Sequence, residues 1–216
     1  MQVAEFNSFL IPLTQQFVLI VHLFAFAFAF VLVTVADLAM LRGHYHDGRR
    51  NLERDASFTA LLLLALWVSG LILIGMGTGF DVDAITSNGK VFAKLTVVTI
   101  LTVNGVFLHF YAFPLFERKG RSISPIRLSI CTLLGAISSV SWMCASVIGA
   151  SRLVAASLSY GNFIEFYLIC LVAGGMVSVV FIRPLIKRHM TGAEIDPMHP
   201  DVGIAGMAKP DRHQAC

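Results

Sequence analysis

Residues Gly89 to Tyr111 read GKVFAKLTVVTILTVNGVFLHFY, an apolar run with an amine, Lys94, near one end and an imidazole, His109, near the other. At about 1.5 Å of rise per residue, such a run crosses a hydrocarbon core of about 30 Å as one helix. A lysine at the centre of that helix costs about 2.5–3.5 kcal/mol on insertion scales. The meaning of the segment therefore depends on where its two polar groups sit relative to the rest of the chain.

Four more runs of the same kind surround it. Counting from its apolar part, the five are Phe17 to Ala36, Phe58 to Met76, Leu95 to Phe116, Leu128 to Ala150 and Tyr160 to Ile182. With 56% hydrophobic and 13% charged residues, the composition is far from that of a soluble domain. The reading is all-α: an integral membrane bundle of five transmembrane helices over residues 1–190, followed by a cytoplasmic tail over 191–216. The alternation FAFAFAF (Phe24 to Phe30) would suggest a strand in water. Inside a long apolar run without a turn signal it reads as helix. The first run is too long for a signal peptide and ends in Asp37 and MLRGHYHDGRR rather than a cleavage site, so it stays as the first helix.

Orientation follows from lysine and arginine. The segment after the first run carries Arg42, Arg49, Arg50 and Arg54, and the one after the third carries Arg118, Lys119, Arg121 and Arg127. The tail carries Arg183, Lys187, Arg188, Lys209 and Arg212, whereas the opposite loops hold Lys90 and Arg152. The positive-inside rule puts the amino terminus outside and the carboxyl terminus in the cytoplasm, with the bilayer of a bacterial inner membrane as the expected location. The basic excess reads as topology and contact with anionic lipid, not as nucleic-acid binding. Cys131, Cys144, Cys170 and Cys216 are scattered, with no C-x-x-C or C-x-x-C-H, which argues against a disulfide framework and against covalent haem attachment.

Helices one and three run in the same direction, so depths along them can be compared. His22 and Asp37 are fifteen residues apart on the first; Lys94 and His109 are fifteen apart on the third. That spacing is about 22 Å of rise and leaves each pair within about 60° on the helix. Two polar layers are expected if the helices are neighbours: His22 with Lys94 towards the outside, Asp37 with His109 towards the inside. His22 and His109 lie about 15–20 Å apart in depth, too far to ligate one haem from both sides. Around His22, Ala25 and Ala29 leave room for a flat group and Phe26 and Phe30 flank it.

Each residue also has a plainer reading. Lys94 follows Lys90 by one turn and, taken alone, snorkels to the interface. His22 could make an interhelical hydrogen bond; its functional alternatives are a cofactor or a proton path. His44, His46 and Asp47 read first as a solvated turn and second as ligands beside His109.

The early membrane histidine in LIVHLFAFAF and the later lysine in FAKLTVV resemble those of the HemJ-type protoporphyrinogen oxidases and related CopD-like membrane proteins, over the first three helices. In that superfamily a first-helix histidine and a third-helix lysine belong to a b-type haem site. The resemblance implies non-covalent haem b and a redox role with quinol, a porphyrinogen or an oxygen species. The candidate cofactor-binding residues are His22, Lys94, His109, Asp37 and Arg152, with His22, Lys94 and His109 as iron ligands.

Two other classes compete. A copper-handling protein would use the soft atoms of Met76, Met143, Cys144, Cys170 and Met176. A cofactor-free transporter or scaffold would use Asn104, Lys94, Glu165 and Arg152 as a polar network. Small-residue ridges at Ala25/Ala29 and around Gly70 permit close packing within one chain or in a homo-oligomer.

Overall fold

The computed structural model describes residues 2–42, 49–112, 124–151 and 153–192, and all of their regular structure is helical. Helix α1 spans Gln2–Leu41, α2 Arg49–Thr78, and the short α3 Val82–Ser87. Helix α4 spans Gly89–Phe107 and continues as a π-helical turn, Leu108–Ala112. Helix α5 spans Pro125–Ala150. Helix α6 spans Tyr160–Val177, passes through a second π-helical turn, Ser178–Ile182, and runs on into α7, Arg183–Gly192. Five stretches are long and apolar enough to cross a membrane: Leu10–Ala39, Arg54–Thr78, Gly89–Tyr111, Pro125–Ala150 and Tyr160–Lys187. The chain is a multi-pass membrane protein.

The first helix begins well before the expected Phe17. Thr14, Gln15 and Gln16 do not interrupt it, and the Thr14 hydroxyl bonds back to the Leu10 carbonyl at 2.9 Å. The FAFAFAF stretch shows why period two fails here. A helix turns about 100° per residue, so Phe24 and Phe28 project outward, Ala25 and Ala29 project inward, and Phe26 and Phe30 stack with ring centroids 6.1 Å apart.

One end of the bundle carries the basic residues of α2, α5 and α7 and is called the basic end below; the other is the far end. At the far end, Asp81 caps α3 through the Asp83 amide and Asn88 caps α4 through the Val91 amide. Ser159 and Asn162 form a reciprocal capping box at the start of α6. Gly89 and Tyr160 meet so closely that a Cβ on Gly89 would stand 2.6 Å from the Tyr160 amide nitrogen. The starts of α4 and α6 are thereby locked together.

Helix α1 packs most closely on α2, and α4 packs on α5 and α6. Helix α1 also touches α5, through the Phe26 and Trp142 rings at 5.5 Å, while α2 reaches α4 where Trp67 Nε1 donates to Thr102 Oγ1 at 2.9 Å. Helices α1, α2, α4 and α5 thus form a ring, with α6 applied to the outside of α4 and α5. Ala25, Ala29, Leu66, Leu101 and Trp142 fill the ring's centre. A second core cluster, with Ala93, Val97, Cys144, Ile148, Phe163 and Tyr167, lies between α4, α5 and α6. The expected adjacency of α1 and α4 is corrected accordingly: they face each other across the ring, and α1's near neighbours are α2 and α5. The Ala25/Ala29 ridge is used within the chain, since Ala29 is fully buried.

Candidate functional site

His22 points from α1 towards α2. Its Nδ1 lies 2.8 Å from Ser69 Oγ, and its ring packs 3.5 Å from the position a Cβ would take on Gly70. The Ser69 hydroxyl also bonds to the Ala65 carbonyl at 2.7 Å. A serine has one proton to give. With that proton on the Ala65 carbonyl, Nδ1–H of His22 is the donor to Ser69 Oγ, and Nε2 keeps its lone pair. Such a partner fixes the tautomer of a histidine that binds a metal or accepts a proton.

Lys94 belongs to the same layer, within electrostatic reach of His22. Its amine lies 3.7 Å from the position of a Cβ on Gly149, and Lys90 Nζ donates to the Gly149 carbonyl at 3.2 Å. Gly149 lies in the last turn of α5, where the last carbonyls carry the negative end of the helix dipole. The two lysines therefore have a structural task at the carboxyl end of α5. The far-end layer draws one group from each member of the ring: His22, Ser69, Lys94 and Gly149.

Near the basic end, Asp37 does not take His109 as its partner. The Ser139 hydroxyl on α5 bonds to Asp37 Oδ2 at 2.6 Å and lies 3.0 Å from the Gly135 carbonyl of its own helix. His109 is exposed on the π-helical turn of α4, edge-on to Phe110 at 5.3 Å. Asn104, named with Lys94, Glu165 and Arg152 as one polar network, donates through Nδ2 to the Leu134 carbonyl at 3.0 Å. Glu165 is exposed on α6, outside the ring. Arg152, the loop residues His44, His46 and Asp47, the basic residues Arg118, Lys119 and Arg121, and residues 193–216 lie outside the described residues.

The space expected for a flat cofactor beside His22 is occupied. Ala25 and Ala29 are covered by Leu66, Leu101 and Trp142, with Phe26 and Phe30 against them. The donor atoms of His22 and Lys94 suit an iron, but this face does not accommodate a porphyrin as packed. Among the described residues, no group of three or more His, Cys, Asp or Glu side chains converges. Of the soft atoms, Cys144 and Cys170 meet between α5 and α6, whereas Met143 and Met176 face outward, 60% and 64% exposed. Met76 lines an apolar groove of about 510 Å³ on the exposed side of α2, with Val68, Leu71, Ile72, Gly75 and Phe80.

The sequence reading missed Ser69 and Ser139. A serine within an apolar run is a weak signal, because it satisfies itself on its own helix as readily as it binds a neighbour. Here both serines do both. No family model matches this chain, and no curated protein or solved structure shows a significant match to it.

Proposed function

We propose that this protein is a proton-translocating membrane carrier, with His22 and Asp37 as its two proton-exchanging groups. One observation carries the reading. Both titratable groups of the membrane-spanning stretch Leu10–Ala39 rest on a serine of a neighbouring helix, and each serine sits over the carbonyl four residues before it: His22 on Ser69 over Ala65, Asp37 on Ser139 over Gly135.

That arrangement accommodates a proton without moving heavy atoms. Ionised Asp37 accepts from Ser139; protonated Asp37 donates to Ser139, whose own proton then turns to the Gly135 carbonyl. At the far end, Nε2 of His22 takes up a proton while Nδ1–H stays on Ser69. Ionisable groups inside a membrane bundle that are paired with hydroxyls are the expected parts of a proton relay. Between the two layers, Leu66, Leu101 and Trp142 close the ring. The conformation is occluded, with an apolar gate of the kind that blocks ions by excluding water. The proposed orientation puts His22 towards the outside and Asp37 towards the cytoplasm of a bacterial inner membrane.

The test is proton flux into proteoliposomes that hold a pH-sensitive dye, driven by a potassium diffusion potential. The native protein should acidify the lumen, and Asp37→Asn and His22→Ala should each reduce the rate at least about tenfold. Equal rates for empty vesicles and native protein would reject the carrier.

The second reading is a non-covalent haem b with a redox role towards quinol, a porphyrinogen or an oxygen species. It is favoured by the presence of His22 and Lys94 in one layer, within electrostatic reach of each other. His22 and Lys94 would hold the iron, which supplies one-electron chemistry when bound; the centre of the ring would have to give way to admit it. A pyridine haemochrome spectrum of the purified protein decides: a stoichiometric b-type signal lost in His22→Ala supports haem, and a colourless preparation rejects it.

A further inference from the structure

Asn104 is 4% exposed, and its Oδ1 is the one buried side-chain polar atom without a hydrogen-bond partner among the described residues. An amide oxygen left unpaired in a dry interior forfeits its solvation without replacing it. The amide is not simply rotated the wrong way, because its Nδ2 is engaged with the Leu134 carbonyl at 3.0 Å. Oδ1 is an acceptor aimed at a donor that the described residues do not supply.

Its surroundings are unlike the rest of the bundle. Asn104 and Asp37 both bond to one short stretch of α5, at Leu134 and Ser139. A Cβ on Gly105 or on Gly135 would meet nothing within 4 Å, so neither glycine is covered by a neighbouring side chain. Both helices that flank this half of α5 widen into π-helical turns just beyond it, at Leu108–Ala112 and Ser178–Ile182. The second turn starts at the fully buried Ser178, whose hydroxyl donates to the Thr132 carbonyl at 2.8 Å. Wide turns of this kind occur mostly as single interruptions and often at functional sites. Three residues from Asn104, about 4.5 Å along the axis, Leu101 belongs to the apolar centre of the ring.

We infer that the basic half of the ring is a hydrated half-channel, in which water bound at Asn104 Oδ1 carries protons between the basic end and Asp37. Water is the donor class that fits. It is the smallest donor available and supplies the proton that Oδ1 lacks. The half-channel ends at Leu101 and Trp142, beyond which the interior is apolar. His109, exposed on the π-helical turn, stands at its basic end.

Thiol labelling measures this directly, because methanethiosulfonates react with the thiolate, which forms only where there is water. In a background with Cys131, Cys144, Cys170 and Cys216 changed to alanine, Asn104→Cys should react with a small reagent added at the basic side. Its rate should be at least about tenfold above that of Leu101→Cys. Equal and negligible rates at both positions would overturn the half-channel. Hydroxyl-radical footprinting of the native protein in nanodiscs is independent of those variants and decides if they fail to fold. Oxidation at Leu134 with Trp142 spared supports the proposal, and oxidation at neither overturns it. The inference deepens the carrier reading but is separable from it: rapid labelling in a protein without proton flux would leave the half-channel standing and remove the carrier.

Discussion

Ser69 and Ser139 decide what His22 and Asp37 are able to do. Ser69→Ala removes the acceptor of Nδ1–H and leaves an imidazole free to turn. The lost bond is worth about 1 kcal/mol, and in a chain of this size that should lower the thermal midpoint by about 2–4 °C. Proton flux should fall with it, whereas Ser69→Thr, which keeps the hydroxyl, should retain both. Lys94 divides the two functional readings. As a cation at the carboxyl end of α5 it contributes about 0.3–1 kcal/mol, so Lys94→Arg should be neutral in midpoint and spectrum and Lys94→Met should not. As an iron ligand it would have to be a neutral amine, and the arginine variant would change the spectrum because guanidinium stays protonated.

Helices α5 and α6 approach closely because Gly174 faces Val140: a Cβ on Gly174 would fall 2.4 Å from Val140 Cγ2. Gly174→Ala should therefore destabilise the protein by about 1–3 kcal/mol through overpacking. Val140→Ala should restore most of the loss in a double-mutant cycle on the thermal midpoint. One turn further along the same seam, Cys170 comes against Cys144 and both thiols help to fill it. The existence of the elements was legible from apolar run length. Their starts were less so: α1 runs through Thr14, Gln15 and Gln16, because a threonine hydroxyl bonded to the carbonyl four residues back costs a helix little. The π-helical turns left no sequence signal at all.

For the molecule as a whole, the basic asymmetry predicts that a reporter fused after Cys216 is active only in the cytoplasm and one inserted at Asp81 only outside. The reverse pattern would exchange the two ends and place Asp37 and the half-channel on the outer side. The ring explains how few charged groups suffice. Each polar layer is closed by helices from opposite sides, and the apolar centre separates the layers, so neither needs a counter-ion from the other.

Sequence alone determined the number of spans and the spacing in depth of the polar groups along each, because rise per residue is a constant of the helix. It therefore put His22 with Lys94 at one level and Asp37 at another. What it could not contain was azimuth and neighbour: one residue turns a side chain by about 100°, and which helix stands there depends on how all five pack. Tertiary structure alone decided that Ala25 and Ala29 close against Leu66, Leu101 and Trp142 instead of opening a slot. It also decided that Asp37 meets Ser139 rather than His109, and that Asn104 turns its amide to Leu134 and leaves Oδ1 unpartnered. Depth is a local, additive property of one helix. Partnership belongs to the packed bundle, where van der Waals fit and the demand of each buried polar group for a hydrogen bond are settled together.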